Sequence, residues 1–121
     1  MAKYTKTHEW VTVEGELAIV GITKYAVSQL GEVVFVELPE EGQEVEKGES
    51  ICNVESTKSA SEVFAPVSGI VRSVNEELED SPELVSEDPE NKGWLFKIEM
   101  NRQEEVEDLL EEKAYNEITG D

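Results

Sequence analysis

The chain has 121 residues, 38% of them apolar and 32% charged, and its formal net charge is −19. That is enough sequence for one domain, residues 1–121, with a single core and too little for two. The charge excludes nucleic acid and anionic membrane surfaces as partners, because phosphate repels it and no basic run compensates.

Two readings suit such a surface equally: docking onto basic faces of partner enzymes, and plain solubility or adaptation to a salty cytoplasm. No apolar run reaches the length of a membrane span. Met1-Ala2-Lys3-Tyr4-Thr5-Lys6 is neither an apolar signal core nor an arginine-rich presequence. The expectation is a cytoplasmic protein, or a mature form already cleaved. Cys52 alone makes no internal disulfide, and with His8 as the single histidine the usual ligand count of a metal site is not met. Cys52 reads as a small buried hydrophobe in a strand.

In chain order, His8 to Val13 and Leu17 to Ile22 are β-rich runs joined by Glu14-Gly15-Glu16, a hairpin signal. Thr23 caps a short helix with Ala26, Val27 and Leu30 on one face, and Gly31 ends it. Glu32 to Leu38 is a strand stopped by Pro39, and Glu40 to Lys47 is an acidic connector closing on Gly48. Two strands follow, Ser50 to Glu55 and Glu62 to Ala65, and the chain then turns a corner at Ala65-Pro66-Val67-Ser68-Gly69. Ile70 to Val74 is another strand. Asn75 to Asn91 is polar, with a short helical turn between Pro82 and Pro89, and Trp94 to Met100 is the last strand. In the tail, Val106, Leu109, Leu110, Ala114 and Ile118 recur at helical spacing, with Asn101 and Glu104 spaced as a capping box. One or two helices over about 102–119, laid against a β body of about 8–100, are expected. The fold class is mainly β, a flattened antiparallel sandwich or barrel with short helices and a C-terminal helical tail.

Nothing in this pattern marks a catalyst. The histidine precedes Glu9-Trp10 without a nucleophile motif, no glycine-rich turn cradles phosphate, and chance carboxylate pairs abound among 29 acidic residues. The informative residue is Lys58, in Val54-Glu55-Ser56-Thr57-Lys58-Ser59-Ala60-Ser61-Glu62 at the tip of a hairpin over 50–66. A turn lysine is ordinarily a solvated charge. Here Gly48 and Gly69 lie ten and eleven residues away, and small hydroxylated neighbours leave the amine open to another protein. A lysine presented on a protruding hairpin looks like an attachment point for a cofactor.

At these residues the chain resembles the glycine cleavage system H protein family, of hybrid lipoyl-domain type. The hairpin and Ala65-Pro66-Val67-Ser68-Gly69 match its lipoylation region. Thr7-His8-Glu9-Trp10-Val11, Gly21-Ile22-Thr23, Leu30 to Pro39, Ser81-Pro82-Glu83-Leu84-Val85 and Gly93 to Ile98 follow in family-like order. The resemblance implies a non-catalytic carrier with lipoate in amide linkage at Lys58. In the family a pyridoxal-phosphate glycine decarboxylase (P protein) loads an aminomethyl group onto the arm. A folate-dependent aminomethyltransferase (T protein) removes it, and dihydrolipoyl dehydrogenase (L protein) reoxidises the dithiol. A lipoylating enzyme attaches the arm.

The same resemblance gives Glu55 and Gly69 a part in recognition by that enzyme, Gly69 also being the bend glycine. Thr7, Glu9 and Glu62 match the surface where the loaded arm rests, an acidic group there having the charge to pair with its amine. Some members carry a histidine in the short helix where this chain has Gln29. An H-like protein that relays lipoyl groups to other enzymes is the alternative that keeps the same hairpin. A lipoyl domain of a 2-oxo acid dehydrogenase fits less well, since it lacks the helical tail. A carrier that visits several enzymes works most simply as a monomer.

Overall fold

The computed structural model describes residues 2–120. Among the described residues nine strands form two antiparallel sheets, neither of them closed into a barrel. The larger sheet runs in the order β1 (Lys3–Tyr4), β2 (Glu9–Glu14), β3 (Leu17–Ile22), β9 (Phe96–Met100), β8 (Gly69–Val74) and β5 (Glu44–Val45). The smaller has β4 (Val33–Glu37), β6 (Ser50–Ser56) and β7 (Ala60–Phe64). Alternation along the strands fills the space between the sheets: Val11, Val20, Val71, Phe96 and Ile98 from one side meet Val33, Val36, Val54 and Val63 from the other. Helix α1 (Lys24–Leu30) leaves β3 at once, its Ala26 N–H donating to the Thr23 hydroxyl at 3.2 Å. Short helices α2 (Glu77–Asp80) and α3 (Glu83–Glu87) pack beside β4.

The mainly β, antiparallel expectation with a C-terminal helix holds, and four details differ. β1 is formed by Lys3 and Tyr4, in a segment that has no strand pattern of its own. Its order comes from pairing with Val11 and Trp10 and from a bridge between Tyr4 and Leu110. β5 forms inside the acidic connector because Glu44 and Val45 find Ile70 and Gly69 across the ladder.

The other two differences concern the tail. Asn101 caps nothing: its N–H donates to the Ser68 carbonyl at 3.2 Å, so the chain is still tied to the sheet there. A 3-10 turn (Gln103–Asp108) follows, and α4 starts only at Glu112, running to Thr119. Finally, Ile118 is 50% exposed and outside the core, where Tyr115 is the buried residue of that helix. Tyr115 stacks on Tyr4 with ring centroids 4.7 Å apart, so the tail's apolar contact is aromatic and directed at β1.

A buried carboxylate fastens the tail to the corner at 65–69. Glu105 accepts from the Ser68 N–H at 2.7 Å and from its hydroxyl at 3.0 Å. Gly69 then enters β8 so close to β9 that a Cβ there would fall on the Glu99 carbonyl and come within 2.8 Å of Ile98 Cγ2. Only glycine permits that approach.

Candidate functional site

The β6–β7 hairpin is closed by one serine. Ser56 donates its N–H and its hydroxyl to the Ser59 carbonyl at 2.7 and 3.1 Å. The same hydroxyl oxygen accepts from the Ser59 N–H at 3.0 Å and the Lys58 N–H at 3.4 Å. Three contacts from this short side chain and one from its backbone N–H hold the loop 57–59 with Lys58 at its apex. The Thr57 N–H donates to the Glu32 carbonyl at 3.2 Å, which ties the tip to the chain leaving α1. There Gly31 has φ 91°, ending the helix in a conformation that disfavours a side chain. It also leaves room for the lysine: a Cβ on Gly31 would lie 3.3 Å from Lys58 Cε and 3.8 Å from Nζ. The Lys58 side chain is exposed, and its ammonium has no ion pair among the described residues.

Beside the apex a groove of about 330 Å³ opens between the hairpin and α1. Thr7, His8, Tyr25, Gln29 and Leu30 form one wall, and Ser59, Ala60 and Ser61 the other. Glu9, 1% exposed, is bonded to Thr7 of this wall. Its Oε1 accepts from the hydroxyls of Thr5 and Thr7, both at 2.5 Å, and its Oε2 accepts from the Phe64 N–H at 3.2 Å. A buried carboxylate is stable only when bonded in this way. Glu9 thereby braces the loop that carries Thr7 and joins the larger sheet to the hairpin strand.

The six residues singled out with Lys58 or by family resemblance therefore separate. Thr7 lines the groove, together with Gln29, and Glu9 is bonded to Thr7. Glu55 and Glu62 are exposed on the outer face of the small sheet, Glu62 accepting from the Ser50 hydroxyl at 3.2 Å. Gly69 belongs to the other sheet, with a packing reason of its own.

Sequence reasoning missed the wall's support. His8 has φ 72°, and its Nδ1 lies 2.8 Å from the Tyr115 hydroxyl, which in turn lies 2.7 Å from Thr23 Oγ1. Its ring packs on Tyr25 at 4.7 Å between centroids. Burial first, and then the Glu90 charge, push the Tyr115 hydroxyl above its ordinary range, against the opposing bond to Thr23. This chain of contacts joins α4, the cap of α1 and the groove wall across 107 residues of sequence. The lone imidazole was the one signal available for it. Among the described residues no group of histidine, cysteine and carboxylate side chains is arranged to hold a metal ion. No described helix is long and apolar enough to cross a membrane.

A stiff two-sheet body presenting one unpaired lysine on a fixed hairpin apex defines a carrier domain of the lipoyl type. The glycine cleavage H-protein family model matches residues 2–121. The glycine cleavage system H protein of Thermotoga maritima is 56% identical over 118 residues, covering 98% of this chain and 95% of that protein. That of Staphylococcus carnosus is 51% identical over 119 residues, covering 98% and 94%. The crystal structure of a glycine cleavage system H protein from Mycobacterium marinum superposes with a TM-score of 0.90 at 39% identity, covering 98% of this chain and 96% of that one. The chain belongs to the glycine cleavage H-protein family.

Proposed function

We propose that Lys58 carries lipoate in amide linkage and that the loaded chain serves glycine cleavage. It would take the aminomethyl group of glycine from the P protein to the T protein, with the L protein restoring the disulfide. When bound, lipoate supplies a dithiolane whose sulfur accepts the one-carbon amine. The observation that carries this reading is the Lys58 apex, locked by Ser56 and unobstructed above Gly31.

Each neighbouring residue has a definite task in it. Ser56 fixes where the arm is rooted, and Gly31 keeps the root free to swing. Tyr25, Ala26 and Leu30 give the groove apolar wall that excludes water from a resting arm. Thr7 and Gln29 add polar atoms for the amine that the arm brings back, and Glu9 holds Thr7 in place. Tethering converts each handover into an encounter at an effective concentration on the order of mM. Glu55 and Gly69 are assigned to recognition by the lipoylating enzyme, and Glu62 to arm contact. The carrier is taken to work as a monomer in the cytoplasm.

The test is the intact mass of the protein from its own cells, with peptides mapped around Lys58. One lipoyl amide on Lys58, absent from Lys58→Arg, is the expected result. An unmodified lysine in lipoate-replete cells would end the carrier reading. Aminomethyl exchange by the loaded protein with P and T proteins then separates glycine cleavage from a relay that only passes on lipoyl groups.

A further inference from the structure

Four large apolar side chains are exposed among the described residues: Val13, Val34, Phe35 and Ile118. Val34 and Phe35, 48% and 51% exposed, adjoin one another on β4, where the ladder to β6 slips between Val33 and Phe35. The slip leaves Val33 and Val36 in the core and turns Phe35 to the outer face.

Strand register defines what surrounds it. Phe35, Glu55 and Ala60 form one cross-strand row, and Glu37, Asn53 and Glu62 form the next. Glu37 accepts from Asn53 Nδ2 at 3.0 Å and Glu62 from the Ser50 hydroxyl at 3.2 Å, both neutral donors. None of the three carboxylates has a salt bridge among the described residues. The outer face is thus an aromatic knob in an uncompensated negative field, on the sheet whose hairpin bears Lys58. At a strand spacing of about 4.8 Å, Phe35 stands roughly 10 Å from Ala60, two residues past the lysine.

Resting on Lys58 being the acylation site, we propose that this face is the docking surface for the enzyme that acylates it. The partner presents an apolar socket rimmed by arginine or lysine. Acylation is the step that needs this surface. The neutral Lys58 amine attacks the carbonyl carbon of an acyl adenylate; the new C–N bond forms as the C–O bond to the phosphate breaks, AMP leaves with the electron pair, and the nitrogen's surplus proton passes to water. For that, Nζ itself must come within bonding distance, so the enzyme body has to press against whatever flanks the apex. Enzymes served by the finished arm are reached from farther away and are free to dock elsewhere. An exposed aromatic on the edge strand, with carboxylates along one side of it, can anchor in a partner's pocket as hot-spot aromatics do, and the charges beside it speed encounter with a basic partner.

The experiment uses the full unmodified chain with a lipoate–protein ligase, lipoate and Mg-ATP, following intact mass with time. Phe35→Ala is expected to lower kcat/KM about tenfold, through KM, as truncation of a hot-spot aromatic does. Val13→Ala, an exposed apolar change on β2, serves as control and leaves it unchanged. Glu37→Gln lowers the rate at low salt and flattens its salt dependence. Phe35→Ala acylated at the wild-type kcat/KM would overturn the proposal. So would a Phe35→Ala defect found in aminomethyl exchange of preloaded protein but not in acylation. A wild-type chain that the ligase leaves unmodified is a different failure, since it removes the acylation site itself.

Discussion

The two sheets of this molecule are built from similar valine-rich strands yet are put to opposite uses. The six-stranded sheet is tightly tied: Gly69 is pressed onto the Glu99 carbonyl, Glu105 pins the corner beside it, and Tyr4 and Tyr115 stack at its end. The three-stranded sheet spends only its inner face on the core. Its outer face and tip carry Phe35, Glu55, Glu62 and Lys58, all exposed. The core is shared by both sheets but presentation falls to the smaller one, with Glu9 as a bridge between them.

Substitutions test that division directly. Lys58→Arg should abolish lipoyl attachment while leaving the denaturant midpoint where it was, because the replaced side chain is exposed; a shifted midpoint would make the tip part of the scaffold. Gly69→Ala should do the reverse, costing on the order of 3 kcal/mol by forcing β8 from β9. Acylation of the fraction that remains folded tells whether Gly69 also serves recognition: a wild-type rate would leave it a packing residue. Glu9→Ala is expected to cost about 2 kcal/mol, since it leaves the Phe64 N–H and two hydroxyls without their acceptor. Equilibrium unfolding measures it, and stability within error of wild type would remove Glu9 as the bridge.

Smaller effects sit at the edges. Tyr115→Phe breaks the contacts to His8 and Thr23 and should cost about 1 kcal/mol, seen as a lower urea midpoint. Cys52, buried between the sheets, has its thiol pushed up from 9.0 to about 12, by desolvation first and then by the charges of Glu37 and Glu9. A raised acid pKa favours the neutral thiol of the folded state, so its contribution is complete below pH 9 and is lost as pH rises toward 12. A thiol reagent at pH 8 should label Cys52 only after denaturation; rapid labelling of the native protein would show that the sheets part there.

The hairpin, the strand from Val33, the Thr23 cap and the Gly31 stop were all readable, because each rests on local pattern or turn chemistry. β1 and β5 were not, since two-residue strands such as Lys3-Tyr4 have no periodicity and exist only through their partners. The tail misled for a related reason. Ile118 continued an apolar stripe that α4 turns away from the body, while Tyr115 was passed over although its hydroxyl finds Thr23 and its ring finds Tyr4.

The site divides in the same way. Lys58 announced itself by its neighbours in sequence. Gly48 and Gly69, which frame it there, bind their own local structure instead. Gln29, Gly31 and Phe35 come beside the hairpin only through the fold. Of these, Gln29 was noticed through family resemblance, and Gly31 was read as a helix stop rather than as floor for the lysine.

The bond from Phe64 to Glu9 has a practical side. That amide is held by a side-chain carboxylate, and the carboxylate is held by the loop bearing Thr7 on the groove wall. Its proton resonance in a 15N-correlated spectrum would, on the proposed resting place of the arm, gauge groove occupancy. An amine resting against Thr7 would draw on the same carboxylate and displace the Phe64 peak, which would tell the loaded from the empty carrier by a single assigned signal, without a label on the arm.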